Sequence, residues 1–547
     1  MRIPIALAAC VAVAIAAMWW ALGHPALVTP MLTPSGASAT PPSGSAGKFY
    51  CVSYAPFRRG QSPLGTGAAI TKDQIEQDIA HLSQLTDCVR TYSTDFGLEF
   101  VPEIARKHDM QVIQGIWLSP DAAKNKVQIE TGVRLANDYP GTVRAVVVGN
   151  EVLLRGDMAA PALIKTIAEV KRQVKVPVTY ADVWEYWLRN RDIASVTDFV
   201  TVHILPYWED FPIPAADAAA HVDSIHARVV AAFPGKDILI GETGWPSAGR
   251  MREGALPSPS NQARVIEEAT ALARKGNYHA NIIEAFDQPW KRNLEGTVGG
   301  HWGLFDADTR LPKFLPGAPV SDHPGWLWQA ACGIVLALVV FAGAASEKRR
   351  RTPLATATWL RVTAIALAAG ALIGWVMEKA MLESFGYAGT IRSALLVVIA
   401  ATTPLLASMA LGRGTPLPTL AQVLGSRAEW PESWLGRGLG MAFVLILGVA
   451  LCEALGLVFN PRYHDFAFAA MTVATVALSA LTIDRRGAGP RGMAEMVAAA
   501  VIALSVVYIL FNEGFLNWQS LWLCAALAGF IVVLIRGPAA PDSGSKA

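Results

Sequence analysis

Two glutamates in this 547-residue chain follow the same kind of run. Val146-Val147-Val148-Gly149-Asn150-Glu151 and Ile238-Leu239-Ile240-Gly241-Glu242 are aliphatic stretches that each close on a carboxylate. A charged group directly after buried aliphatics is costly unless it has partners, so two of them suggest a functional pair. Paired carboxylates suit glycoside cleavage. One acid protonates the departing oxygen while the other attacks the anomeric carbon, and a separation of about 5–5.5 Å or about 6.5–9.5 Å decides retention or inversion. The same pattern also fits two structural ion pairs at the mouth of a barrel.

Such a pair needs a scaffold that brings distant strand ends together. Between Lys48 and Pro319 short β-branched runs alternate with helical stretches, the mark of a parallel sheet. Eight strands are predicted: 49–55, 88–92, 111–117, 144–150, 176–181, 199–204, 237–241 and 281–286. Eight strands and this length suit a (β/α)8 barrel, whose chemistry sits where strands end. Thr71 is a plausible N-cap, followed by Ile75, Ile79, Leu82 and Leu85 at helical spacing, so these apolar stripes read as core.

The motifs at the strand ends resemble glycoside hydrolase family 17, the β-1,3-glucanase and glucan-transferase group, and its bacterial branch in particular. Gly149-Asn150-Glu151 and Gly241-Glu242-Thr243-Gly244-Trp245-Pro246-Ser247 carry the resemblance. It is supported by Cys51-Val52-Ser53-Tyr54, Arg90-Thr91-Tyr92, Pro206-Tyr207-Trp208 and His301-Trp302-Gly303-Leu304-Phe305. The resemblance implies that Glu151 is the acid/base and Glu242 the nucleophile of a retaining double displacement, with Asn150 on the sugar 2-hydroxyl. It places Arg90 and Tyr92 beside the nucleophile. Glu242 is then expected to stay charged and Glu151 to hold its proton through a raised pKa. After the last strand the sequence departs from the plant pattern and reads Phe286-Asp287-Gln288-Pro289-Trp290-Lys291. Lys291 and Glu295 correspond to the family's lysine and second glutamate in that loop.

Tyr54, His203 and Asp287 complete the expected substrate-site residues, His203 either hydrogen-bonding a catalytic glutamate or standing as a satisfied rim histidine, and Trp184, Tyr207, Trp208, Trp245 and Trp290 are expected to line the site for sugar rings. Trp302 is left to packing. The ten histidines show no ligand spacing, so no metal or cofactor is implied.

Hydrophobic residues make up 52% of the chain and charged ones 16%, against about 25% charged in ordinary globular proteins. That imbalance points to membrane segments. Lys+Arg 46 against Asp+Glu 44 leaves no basic surplus to argue for nucleic acid. About eight apolar runs are long enough to cross a bilayer: 3–22, 326–345, 358–377, 391–411, 439–459, 466–483, 493–511 and 520–535. With the N-terminus inside, the short cytoplasmic loops hold Lys348, Arg349, Arg350, Arg351, Arg413, Arg427, Arg437, Arg485, Arg486, Arg491, Arg536 and Lys546. The opposite joints hold only Lys379, Arg392 and Arg462. This bias is that of an inner-membrane protein whose residues 23–325 face the periplasm, the envelope being inferred from the resemblance.

The chain thus divides into an anchor (1–22), a Pro/Ser/Gly-rich linker (23–47), the barrel (48–319) and a bundle of about seven transmembrane helices (320–547). The first run reads as uncleaved, since it outlasts a usual signal core and no A-x-A site closes it. Glu453, ionisable within a span, is expected to reach the interface at the outer end of its helix. The bundle is expected to anchor in the lipid bilayer, to contact a glucan synthase or to help a glucan cross. A rival reading makes the protein a non-catalytic glucan-binding or scaffolding subunit of an export complex. Cys51 and Cys88 begin neighbouring strands, so both a disulfide and two buried thiols fit.

Overall fold

Residues 2–25, 48–65, 70–315, 318–346, 354–426, 429–483 and 492–536 are described by a computed structural model. Most of the linker, the loops with Lys348–Arg351, Arg427, Arg485, Arg486 and Arg491, and the tail with Lys546 lie outside the described residues. The chain forms two compact units, one of 26–248 with 254–320, the other of 1–25, 249–253 and 321–547.

In the first unit the alternating runs close into an eight-stranded parallel barrel: β1 (Cys51–Ser53), β2 (Cys88–Arg90), β3 (Gln111–Ile116), β4 (Val143–Asn150), β5 (Val178–Val183), β6 (Val200–His203), β7 (Ile238–Thr243) and β8 (His279–Ile282). The ring closes where Cys51 pairs with Asn281 and Val52 with Ile282. Helices join the strands, and several begin on the residue their chemistry predicts. Thr71 accepts a hydrogen bond from the Gln74 N–H at the start of Lys72–Leu82. Ser258 does the same for Asn261, with Pro259 opening the helix, where a missing N–H costs nothing.

Alternation along each strand separates two apolar layers. Val146 and Val148 on β4, and Ile238 and Ile240 on β7, pack with the surrounding helices. Val147 and Leu239 point the other way and meet Cys51, Cys88, Ile113 and Ala181 inside the barrel. Cys51 and Cys88 are joined there by a disulfide. β8 ends at Ile282, four residues before the run 281–286 was expected to stop, so Glu284 and Phe286 lie beyond the strand on the rim.

The second unit is helical. Among the described residues, seven helices are long and apolar enough to cross a membrane: Ile3–Gly23, Trp326–Ala345, Thr356–Glu383, Gly386–Arg413, Trp434–Phe459, Met493–Glu513 and Trp518–Ile535. The expected span 466–483 is instead a 15-residue helix, Phe468–Thr482. At 1.5 Å per residue it falls short of a bilayer's hydrocarbon thickness of about 30 Å. Most of its residues, Phe468, Met471 and Leu478 among them, are buried among its neighbours. Glu453 differs from expectation too. It is buried, with Arg392 Nε and Nη2 donating to its two oxygens at 2.7 and 2.9 Å and His464 at 3.2 Å. A carboxylate among apolar helices is stabilised by a paired cation more than by a distant interface.

Candidate active site

The C-terminal ends of β2, β4, β6 and β7 bring five side chains together. Arg90, last residue of β2, donates through Nη1 to Glu242 Oε1 at 2.7 Å and to the Gly241 carbonyl at 3.0 Å. Its Nη2 donates to Asn150 Oδ1 and lies 3.4 Å from His203 Nε2. His203 Nδ1 is 2.8 Å from Glu151 Oε1, and Nε2 is 3.5 Å from Glu242 Oε1. A guanidinium has only donors, so Arg90 favours the His203 tautomer with a bare Nε2 and a proton on Nδ1 that is donated to Glu151. One oxygen of each glutamate lies within 4.8 Å of the other.

Strict alternation would not build this site. Asn150 and Glu242 stand an even number of residues after Val148 and Ile240, which face the helices, yet both reach Arg90 in the mouth. Register shifts lie between Val147 and Asn150 on β4, between Val202 and His203 on β6, and between Ile240 and Thr243 on β7. Irregularities of this kind re-aim side chains next to active sites. Glu151 follows in the left-handed region, φ +53°, after Gly149 at φ +87°. A non-glycine residue there is strained and needs a surrounding structure to hold it.

Exposure separates the two carboxylates. The Glu242 side chain is 7% exposed and Glu151 23%, so Glu151 is the more accessible of the two from solvent. Burial works to raise the pKa of Glu151, but the hydrogen bond and charge of His203, with Arg155 and Arg90, outweigh it and hold the carboxyl below its ordinary value. That direction is opposite to the raised pKa expected from the sequence; the cause is His203, which meets a catalytic glutamate as one of its two sequence readings allowed and favours the charged carboxylate there. Tyr92 leans on Arg90, 4.9 Å from guanidinium carbon to ring centroid, and its hydroxyl donates to the Ile283 carbonyl at 3.1 Å. Burial first, then the Glu242 charge, push its pKa well up.

The other expected contacts divide. Trp184, Trp208 and Trp290 are partly exposed. Trp184 Nε1 donates to Glu209 at 3.1 Å, Trp208 stacks on Trp302, and Trp290 Nε1 donates to Gln288 at 2.9 Å. Lys291 donates to Glu284, and Glu295 ends the adjoining helical turn Arg292–Glu295. Four residues expected to touch substrate are instead closed off. The Tyr54 hydroxyl donates to Asp78 at 3.0 Å beneath the helices. Tyr207 and Trp245 are wholly buried in one cluster, where Trp245 Nε1 donates to the Leu256 carbonyl. Asp287 receives Lys313 at 2.6 Å and the Gly303 N–H at 2.9 Å. Large rings and a paired carboxylate at the rim serve packing here as readily as ligand contact.

Glu284 escaped the sequence reading. It too is a carboxylate after an apolar run, Asn281-Ile282-Ile283-Glu284, but the strand was drawn through it. Its side chain is buried; Oε2 accepts from Lys291, while Oε1 has no hydrogen-bond partner among the described residues. Burial, only partly offset by Lys291, raises its pKa to about 7. Arg155, whose two nitrogens hold the Asn150 and Leu118 carbonyls, carried no motif signal at all.

Glu151, His203 and Glu242 also lie at a spacing that suits a metal ion. The Arg90 guanidinium is already on the same Glu242 oxygen, so a metal cation would meet a fixed positive charge.

Comparison with known proteins agrees with the barrel's motifs. Residues 51–303 match the BtgE/BtgC glycoside hydrolase domain. The chain is 30% identical over 270 residues to a glucan 1,3-beta-glucosidase of Arthroderma benhamiae, covering 46% of this chain and 87% of that protein. It is 27% identical over 273 residues to the glucan 1,3-beta-glucosidase of Saccharomyces cerevisiae, with the same coverage. Among solved structures, a glycoside hydrolase family 17 β-1,3-glucanosyltransferase from Rhizomucor miehei aligns with 26% identity and a TM-score of 0.43, over 49% of this chain and 96% of that one. On the domain match and the Arthroderma relative, the chain belongs to the family 17 type of glycoside hydrolases and is an enzyme of the glycosidase kind.

Proposed function

We propose that this protein cleaves or transfers β-1,3-glucan by a retaining double displacement, held at a membrane with its barrel outside the cytoplasm. The observation that carries the mechanism is the approach of Glu151 and Glu242 oxygens to within 4.8 Å. That approach favours the about 5–5.5 Å spacing of retaining pairs over the about 6.5–9.5 Å of inverting ones.

In the first step a Glu242 oxygen attacks the anomeric carbon and the bond to the departing sugar oxygen breaks. Glu151 supplies the proton that this oxygen needs. The product is a glycosyl ester on Glu242. In the second step water or a sugar hydroxyl gives its proton to Glu151 and attacks the same carbon, which frees the Glu242 carboxylate. Arg90 holds Glu242 in place for the attack, and Asn150, fixed by Arg90, meets the sugar 2-hydroxyl. His203 stabilises the anionic Glu151 formed after the first proton transfer. The β-1,3-glucan substrate rests on the relatives' printed activities, and Trp184, Trp208 and Trp290 supply ring faces for it.

Three features support the location. Seven helices are apolar and long enough to span a bilayer, and the buried Cys51–Cys88 disulfide belongs to an oxidising compartment. The bias of Lys and Arg in the sequence's short loops supports a barrel on the periplasmic side.

The test is a time course of the full chain in detergent with laminari-oligosaccharides, separating shortened from elongated products and following the anomer first released by NMR. Retained configuration and loss of all products in Glu242→Gln support the reading. An inverted first product, or equal activity in the variant, removes it.

A further inference from the structure

The strained turn that carries Glu151 is anchored to the neighbouring strand through a side-chain pair with no part in the mechanism above. On β5, Tyr180 and Asp182 project on one face, two residues apart. The Tyr180 hydroxyl donates to Asp182 Oδ2 and accepts the Leu153 N–H at 3.0 Å. Asp182 Oδ1 accepts the Val183 N–H at 2.8 Å, and Oδ2 lies 3.4 Å from the Leu154 N. Neither side chain is exposed.

The turn itself needs such a hold. Gly149 and Glu151 both take positive φ, and a Cβ on Gly149 would come within 2.7 Å of Val152 Cγ2. The Glu151 N–H donates to the Ala181 carbonyl at 2.7 Å, from the residue between Tyr180 and Asp182. The 151–154 segment is therefore fastened to β5 at three successive residues, 180, 181 and 182. A lone carboxylate in an apolar wall is expensive, and burial, despite the Tyr180 hydrogen bond, raises Asp182 to about 6. Its oxygens nonetheless all find donors, and the hydroxyl it orients faces the catalytic turn.

We infer that Tyr180 and Asp182 are positioning residues for the acid: Asp182 orients the Tyr180 hydroxyl, which holds the Leu153 N–H and so fixes Glu151 toward the departing oxygen. The inference rests on the reading of Glu151 as acid/base. A displaced acid slows the step that needs its proton and leaves untouched a departing group that needs none.

Two substrates on the full chain test this: a laminari-oligosaccharide, and an aryl β-laminaribioside whose dinitrophenolate leaves without protonation. In Tyr180→Phe, kcat for the oligosaccharide is expected to fall about 10- to 100-fold, the scale of a misplaced catalytic group. KM stays within about twofold, and the dinitrophenolate burst stays within about threefold, since that step draws nothing from general acid catalysis. Asp182→Asn keeps an acceptor for the tyrosine hydroxyl and is expected to retain more of the oligosaccharide rate than Asp182→Leu. Equal losses on both substrates, or no loss on either, overturn the inference. Glu151→Ala is the control: if it loses both substrates equally, the acid assignment itself falls, and the inference with it.

Discussion

Arg90 Nη1 and Glu242 Oε1 lie 2.7 Å apart with both side chains nearly closed to solvent. The same guanidinium reaches Asn150, so one cation at the end of β2 ties the residue before one glutamate to the other glutamate.

Arg90→Met therefore leaves a buried carboxylate and an amide without their donor. Breaking a buried pair in this way costs about 3–5 kcal/mol, and kcat is expected to fall with it by at least about 100-fold, because a misplaced group costs that much. Arg90→Lys keeps the charge but not the two-pronged contact, and is expected to recover stability more than rate. Urea midpoints beside kcat on laminari-oligosaccharides separate the two effects.

His203 controls the titration of Glu151. Removing it in His203→Asn leaves burial as the main influence on Glu151, so its pKa moves up. The acid then stays protonated to higher pH, and the basic limb of the kcat/KM profile is expected to shift upward. Stability changes in the matching sense. A carboxyl held below its unfolded value stabilises above that value and loses the contribution as pH falls through the folded one. The variant is expected to lack that acid-side loss.

Glu284 has the opposite sign. Its folded pKa of about 7 lies above an unfolded carboxylate's value of about 4.3. The folded state then holds a proton the unfolded chain has released, and stability declines as pH rises between those values. Glu284→Gln is expected to flatten that slope. Thermal midpoints from pH 4.5 to 8 for both proteins measure it.

The disulfide spans a sequence separation of 37. Closing a loop of that size is worth about 3–4 kcal/mol through the unfolded chain. Replacing both cysteines with alanine is expected to lower stability by about that amount while activity persists, since Cys51 and Cys88 lie in the barrel interior among Ile113, Val147 and Leu239. Alkylation with and without reductant, read by mass, reports the bond directly.

In the helical unit, Arg392 also donates through Nη1 to Glu383 at 2.6 Å, besides both oxygens of Glu453. Arg392→Met leaves Glu453 with only His464 and Glu383 with only Lys379 as charged partners, and is expected to cost up to about 3–5 kcal/mol. Adding Glu383→Gln and Glu453→Gln is expected to restore much of the loss. Melting curves of the detergent-solubilised chain compare the three.

Alternating aliphatic runs, the helix cap Thr71, and a glutamate closing each of two strands were legible in the linear sequence. Those features are local, because hydrophobic period and capping chemistry act within a turn or two. The barrel and the pair of glutamates at its rim follow from them, as do the apolar helices of the second unit. What tertiary structure decided is direction. Asn150 and Glu242 share the parity of helix-facing Val148 and Ile240, and only the register shifts on β4, β6 and β7 turn them into the mouth. The same holds for residues the sequence placed on substrate. Tyr54, Tyr207, Trp245 and Asp287 have the right types at the right strand ends, but partners far along the chain, Asp78, Leu256 and Lys313 among them, draw them inward. Side-chain type sets what a residue can do; which neighbour it meets depends on contacts between segments distant in sequence, and no local pattern records those.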